Sequence, residues 1–210
     1  MSVQTRPARD ATVATGRAYL EQRVTASNRS GEAYFGRYAH AIAECAAAMA
    51  DRFFAGGTLL VFGSGPHATD AQHNSVEFVH PVLPGCRALP ALSLTNDMAT
   101  VTGSLQGDAA ADVYAHQLRV LGRPGDIALA FAHAPVHQSI ARGLDAGAAG
   151  RMLTIAITSG DVAGCEEADF VFHADGSDRD AAHELHLATY HMLWELVHIV
   201  LNHRGIGNMA

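Results

Sequence analysis

Five short, nearly continuous apolar runs alternate with longer segments of helical periodicity, and this alternation constrains the fold more than any other feature of the chain. The runs are TLLVFG (58–63), ALPALSL (88–94), DIALAFA (126–132), MLTIAIT (152–158) and DFVFHA (169–174). Helical patterns fill 67–80, 97–122 and 136–148, and a last helix covers 179–203. Strands that are apolar at every position must be covered on both faces, and parallel strands need long crossovers, so the pattern specifies an α/β fold with a five-stranded parallel sheet flanked by helices. Ahead of the first strand, residues 10–28 and 32–55 read as an N-terminal helical pair. Tyr34, Ala41, Ile42, Cys45, Met49 and Phe53 form one apolar stripe of the second helix, and Gly56 and Gly57 stop it. The expected organisation is one domain over 1–210, helical through residue 55 and α/β from 56 onward.

In open parallel sheets, ligands bind outside the carboxyl ends of the strands. Three stretches should therefore line a site: GSGPHA (63–68), TNDMAT (95–100) and AHAPVHQ (132–138). Composition narrows the classes of partner. The chain is 49% hydrophobic and 17% charged, the balance of a globular protein with large buried interfaces. A formal net charge of −7 gives no footprint for nucleic acid. No apolar run approaches the length of a membrane span, and MSVQTRPARDATVATGR lacks the apolar core of a secretion signal. Cys45, Cys86 and Cys165 have no CxxC spacing and read as reduced thiols of a cytoplasmic protein.

GSGPHA formally matches a dinucleotide-binding turn, but no acidic residue follows about 20 positions on, where a ribose would need one. A Walker-type loop is absent. The turn reads either as close packing or as an anion cradle at a helix N-terminus. Behind it, His73 and Glu77 stand at i, i+4 on one helix face, a spacing that suits one divalent ion or an acid–base pair on one substrate. A solvated surface pair has the same spacing. The last helix, DAAHELHLATYHMLWELVH, sets His183, His186, His191 and His198 among Leu, Trp and Val. Imidazoles in so apolar a segment need hydrogen-bond partners or a metal. His183 and His191 are eight residues apart, a rise of about 12 Å, so one ion reaches both only if the side chains lean together or one comes from a neighbouring subunit.

The element order, the turn GSGPHATDAQHNSVEF, the phrase LGRPGD and the terminal DAAHELHLATYH resemble the phosphoheptose isomerase branch of the sugar isomerase (SIS) domain family over residues 35–203. That branch has a flavodoxin-like three-layer sandwich and carries A-x-H-x-x-x-E, here AQHNSVE with His73 and Glu77. Its D-x-x-Q, with a His eight residues after the Gln, becomes Asp180, His183 and His191. The resemblance implies a divalent metal site, usually zinc, at His73, Glu77, His183 and His191. It also implies Glu77 and His191 as proton-transfer groups, and a homotetramer with sites between subunits. Thr95, Asn96 and Asp97 fall where the family contacts its sugar, beside Ser64 of the glycine turn and Asp180. The family's serine-rich phosphate loop is replaced by AHAPVH (132–137), which leaves His67, His133 and His137 to meet a substrate anion. The expected function is a metal-dependent aldose–ketose isomerase acting on a sugar other than an ordinary heptose or hexose phosphate. The competing expectation is a non-catalytic binding protein of the replication-initiator-associating type.

Overall fold

The computed structural model describes residues 6–83, 85–104 and 107–204. Helix α1 spans Arg6–Phe54, followed by β1 (Leu59–Gly63), α2 (Pro66–Val79), β2 (Ala91–Ser93), α3 (Met98–Ser104) and α4 (Val113–Leu121). Then come β3 (Ile127–Phe131), α5 (Gln138–Ala149), β4 (Leu153–Ser159), β5 (Phe170–Ala174) and α6 (Arg179–His203). The chain divides into two compact units, Met1–Arg37 and Tyr38–Ala210, with the division inside α1. In the first unit, Tyr34 and Phe35 meet edge to face with centroids 5.1 Å apart.

All five strands are parallel, in the order β2–β1–β3–β4–β5. β1, β3 and β4 are buried at every position, as their unbroken apolar sequences require. Alternate residues divide the core. Leu60, Phe62, Ala128, Ala130 and Ala156 belong to the cluster that packs with Tyr114, Leu118, Ile140 and Leu144 of α4 and α5. On the other face Phe131 meets Tyr190 of α6, and Phe78 of α2 stacks on Phe53 of α1. α5 lies close on the sheet because a Cβ at Gly143 would sit 2.6 Å from Phe62, and one at Gly147 would sit 2.9 Å from the Ala128 Cβ. The chain order places β1 beside β3, so the loops leaving these two strands diverge to opposite faces. The crevice between them is the topological switch point of the sheet.

Three expectations change in detail. The N-terminal helical pair is one continuous 49-residue helix. Gly31 passes through it with nothing within 4 Å of a would-be Cβ, and no proline stands nearby to enforce a break. The helix expected over 97–122 is α3, a 3₁₀ segment (Gly107–Asp112) and α4. Gly103 and Gly107 flank the interruption, each about 1 kcal/mol less favourable in a helix than Ala. The run ALPALSL pairs only from Ala91, because Pro90 has no N–H to give the ladder.

Candidate active site

The site grows from the turn between β1 and α2. A Cβ at Gly63 would lie 2.4 Å from the His67 carbonyl oxygen, so the first turn of α2 closes tightly on the strand end only over glycine. Gly65 has φ +61° and Pro66 occupies the first helical turn, where a missing N–H costs nothing. This geometry buries His67 and Asp70, both 6% exposed. His67 Nδ1 lies 2.9 Å from Asp70 Oδ2, and His183 Nε2, reaching from α6, lies 2.9 Å from both Asp70 oxygens. Burial pushes the Asp70 carboxyl up, but hydrogen bonds from His67 and His183, and their charges, hold it below the ordinary range. Around His67 stand the rings of His133, His186 and His183, with centroids 5.3, 5.4 and 5.5 Å away.

A second cluster forms two turns further along the same helix pair. His73 Nε2 is 3.4 Å and His191 Nε2 3.1 Å from Glu77 Oε1. One ligand atom from each of the three residues lies within 4.8 Å of the others. Glu77 Oε2 is buried with no hydrogen-bond partner. Tyr190, fully buried, places its hydroxyl 2.8 Å from His73 Nδ1. Burial, then the charges of Asp70 and Glu77, push that phenol well above its usual range and keep it protonated. Trp194 Nε1 donates to the Glu77 carbonyl oxygen at 3.0 Å, fixing α6 to α2 at the cluster.

His183 falls outside this second cluster and joins His67 and Asp70 instead. Its backbone lies two turns from that of His191, and the Asp70 carboxylate stands directly opposite it. The other expected site residues are spread around the switch point. Ser64 Oγ is 3.4 Å from Ser139 Oγ. Thr95 turns inward, bonded to Ser93 Oγ at 2.7 Å and to the Ala68 carbonyl. Asn96 is exposed, and Asp97 caps α3 by accepting from the Ala99 and Thr100 amides at 3.0 and 3.2 Å. The Thr100 hydroxyl, then its amide, hold the Asp97 carboxyl below the ordinary range. His133 Nε2 accepts from Arg179 at 2.8 Å; burial, then the Arg179 and His67 charges, depress its basicity. His137 caps α5, its Nδ1 accepting the Ser139 amide at 3.2 Å. Asp180 is exposed in the first turn of α6.

Four residues escaped the sequence reading: Asp70, Tyr190, His186 as a site member, and Arg179. Asp70 was within reach, since it stands three residues from both His67 and His73 and so shares their helix face. His186 was marked only as one of four imidazoles in an apolar helix, and nothing local in the sequence marks Tyr190 or Arg179.

The doubly wound parallel sheet agrees with what the chain resembles. Residues 24–159 match the family model described as SIS domain. A phosphoheptose isomerase of Thermodesulfovibrio yellowstonii is 30% identical over 177 residues, covering 83% of this chain and 88% of that one. The chain belongs to the SIS domain family. Within the family it stands in the phosphoheptose isomerase-like branch: the enzyme so named from Synechocystis sp. is also 30% identical, over 181 residues, 85% of this chain and 91% of the other. The fold agrees with solved phosphoheptose isomerases from Francisella tularensis (TM-score 0.77, 24% identity, 86% of this chain and 96% of that one) and Neisseria gonorrhoeae (0.74, 23%, 85% and 98%). The first glycine of GSGPHA serves the close packing of His67.

Proposed function

We propose that this chain is a metal-dependent aldose–ketose isomerase, chemically related to sedoheptulose 7-phosphate isomerase, that takes a sugar without a phosphate in the usual place. The observation that carries the isomerase reading is the convergence of His73, Glu77 and His191. Two imidazoles and a carboxylate fit zinc, and three protein ligands leave coordination open, as in catalytic rather than structural sites. The unpartnered Glu77 Oε2 belongs to the same picture: a buried carboxylate oxygen without a donor is costly unless a cation shares the group. A bound divalent ion would polarise the substrate carbonyl and stabilise an enediolate.

The chain's own groups handle the protons. An aldose–ketose interconversion removes a proton from the carbon beside the carbonyl and delivers one to the former carbonyl carbon. Glu77, the carboxylate between the two imidazoles, makes this transfer. His191, 40% exposed at its side chain, is the partner acid/base for the substrate oxygens. Tyr190 can donate to His73 Nδ1 or accept from it, so it orients the imidazole in either tautomer.

The substrate reading rests on where the loop donors point. The Ala132 amide is spent on Ile157, that of Ala134 on Ser159, and those of Ser139 and Ile140 on His137. Pro135 has no N–H, and His137 Nδ1 is an acceptor. A phosphate dianion needs several donors aimed at it; these four amides are spent elsewhere, and Arg179 stands at the rim. The same reading makes the protein a cytoplasmic homo-oligomer, with a tetramer as the expected state. The test is an isomerase assay of zinc-loaded protein on sedoheptulose 7-phosphate and on unphosphorylated ketoses, with Glu77→Gln alongside. The expected result is turnover of unphosphorylated sugar, lowered about 10²- to 10⁴-fold by the substitution. Turnover that survives Glu77→Gln unchanged would sink the mechanism. Ordinary efficiency on the ketose phosphate would sink the substrate reading alone.

A further inference from the structure

The histidines of α6 divide by how their nitrogens are met. His191 faces Glu77, His183 faces Asp70, and His198 reaches the carbonyls of Trp194 and Arg87 at 2.8 and 3.0 Å. His186 is fully buried, yet neither ring nitrogen has a hydrogen bond of ordinary geometry. The Thr158 backbone is near enough for a weak hydrogen bond outside that geometry, and the Thr158 hydroxyl is itself unpartnered. A buried imidazole so poorly partnered is costly. This one sits beside a buried carboxylate that already gathers two more imidazoles.

We propose that His67, Asp70 and His183 are ligands of a second divalent-cation site, separate from His73–Glu77–His191, with His186 as its fourth donor. One ligand atom each of His67, Asp70 and His183 already lies within 4.8 Å of the others. The His186 ring centroid is 5.4 Å from that of His67 and 6.4 Å from that of His183. Unlike an exposed acidic cluster, Asp70 is 6% exposed and has no solvent shell to fall back on. Ligation through His67 Nδ1 and His183 Nε2 leaves each imidazole's proton on its far nitrogen. Imidazoles with one carboxylate are a donor set that favours zinc or cobalt over magnesium or calcium. Asp70 and Glu77 are seven residues apart on α2, about 10 Å along the axis. The two sites are therefore distinct mononuclear centres, not a bridged pair at about 3.5–4 Å. The second ion clamps the first turns of α2 and α6 together at the switch point.

The experiment is metal stoichiometry and thermal stability of the full chain, stripped with chelator and titrated with zinc against a chromophoric competitor. The wild type should take up two ions, Asp70→Asn and Glu77→Gln one each, and the double variant none. Loss of Asp70 should weaken its ion by at least the roughly ten- to hundredfold that loss of an outer-shell partner costs. Zinc at a hundredfold excess over Kd should raise the Tm of Glu77→Gln by about 5–10 °C and leave that of the double variant unmoved. His183→Gln repeats the test should Asp70→Asn fail to fold. One ion in the wild type, lost with Glu77 and kept in both Asp70→Asn and His183→Gln, overturns the proposal. One ion lost with Asp70 and kept in Glu77→Gln upholds this site and removes the metal from the proposed isomerase centre. No uptake at all removes both.

Discussion

Asp70 shows how one side chain redirects a site. The spacing of His73 and Glu77 brings those two together whatever the rest of the fold does, because four residues is one helical turn. The partner of His183 depended on what faced it across the groove, and the carboxylate there draws it away from His191. The cysteines are governed by burial in the same way. Cys165 is 1% exposed, and burial, then the Glu166 charge, push its thiol up to about 11; Cys45, fully buried, is pushed higher still by burial and Asp169. A raised thiol pKa means less thiolate at a given pH, roughly a thousandth for Cys165 at pH 8. Only the partly exposed Cys86 should therefore react quickly with a disulfide reagent. One fast equivalent in the native protein and three after denaturation is the expected titration; three fast native equivalents would contradict the burial.

At the level of elements, the apolar runs located all five strands, and α6 occupies the span that its periodicity gave. Periodicity could not say where 97–122 breaks, since glycine is tolerated or not according to what packs around it. Nor does it reveal the polar staples that set strand ends. Asp126, 6% exposed, accepts the Thr58 amide at 2.8 Å and the Arg123 amide at 2.7 Å, tying the entries of β1 and β3 together. Asp126→Ala leaves both amides without their acceptor and should destabilise the domain by about 2–4 kcal/mol. Urea unfolding should show a lower midpoint with an unchanged slope. A change below about 0.5 kcal/mol would mean that water replaces the carboxylate at no cost.

On the scale of the molecule, among the described residues no helix is long and apolar enough to cross a membrane. The first unit nonetheless exposes Val13, Tyr19, Leu20 and Val24, each more than half accessible on one long helix. Large apolar side chains repeated along a helix mark a surface that associates, and a second copy of this chain is the partner the family resemblance implies. Light scattering at micromolar concentration should give about four times the 22.1 kDa chain mass. A monomer would refute it, and Leu20→Glu with Val24→Glu should shift the mass downward. The sequence by itself determined the parallel sheet, the order of its elements and the His73–Glu77 pair. The pair depends on one turn of helix, where spacing fixes which side chains meet, and the sheet follows from apolar runs that must be covered on both faces. Spacing left open whether His191 joins that pair, which the family resemblance implied, and only the tertiary structure decided that His183 and His67 share Asp70. Each is a meeting of α2 with α6 across more than a hundred residues, set by how two helices pack on a sheet rather than by any local pattern.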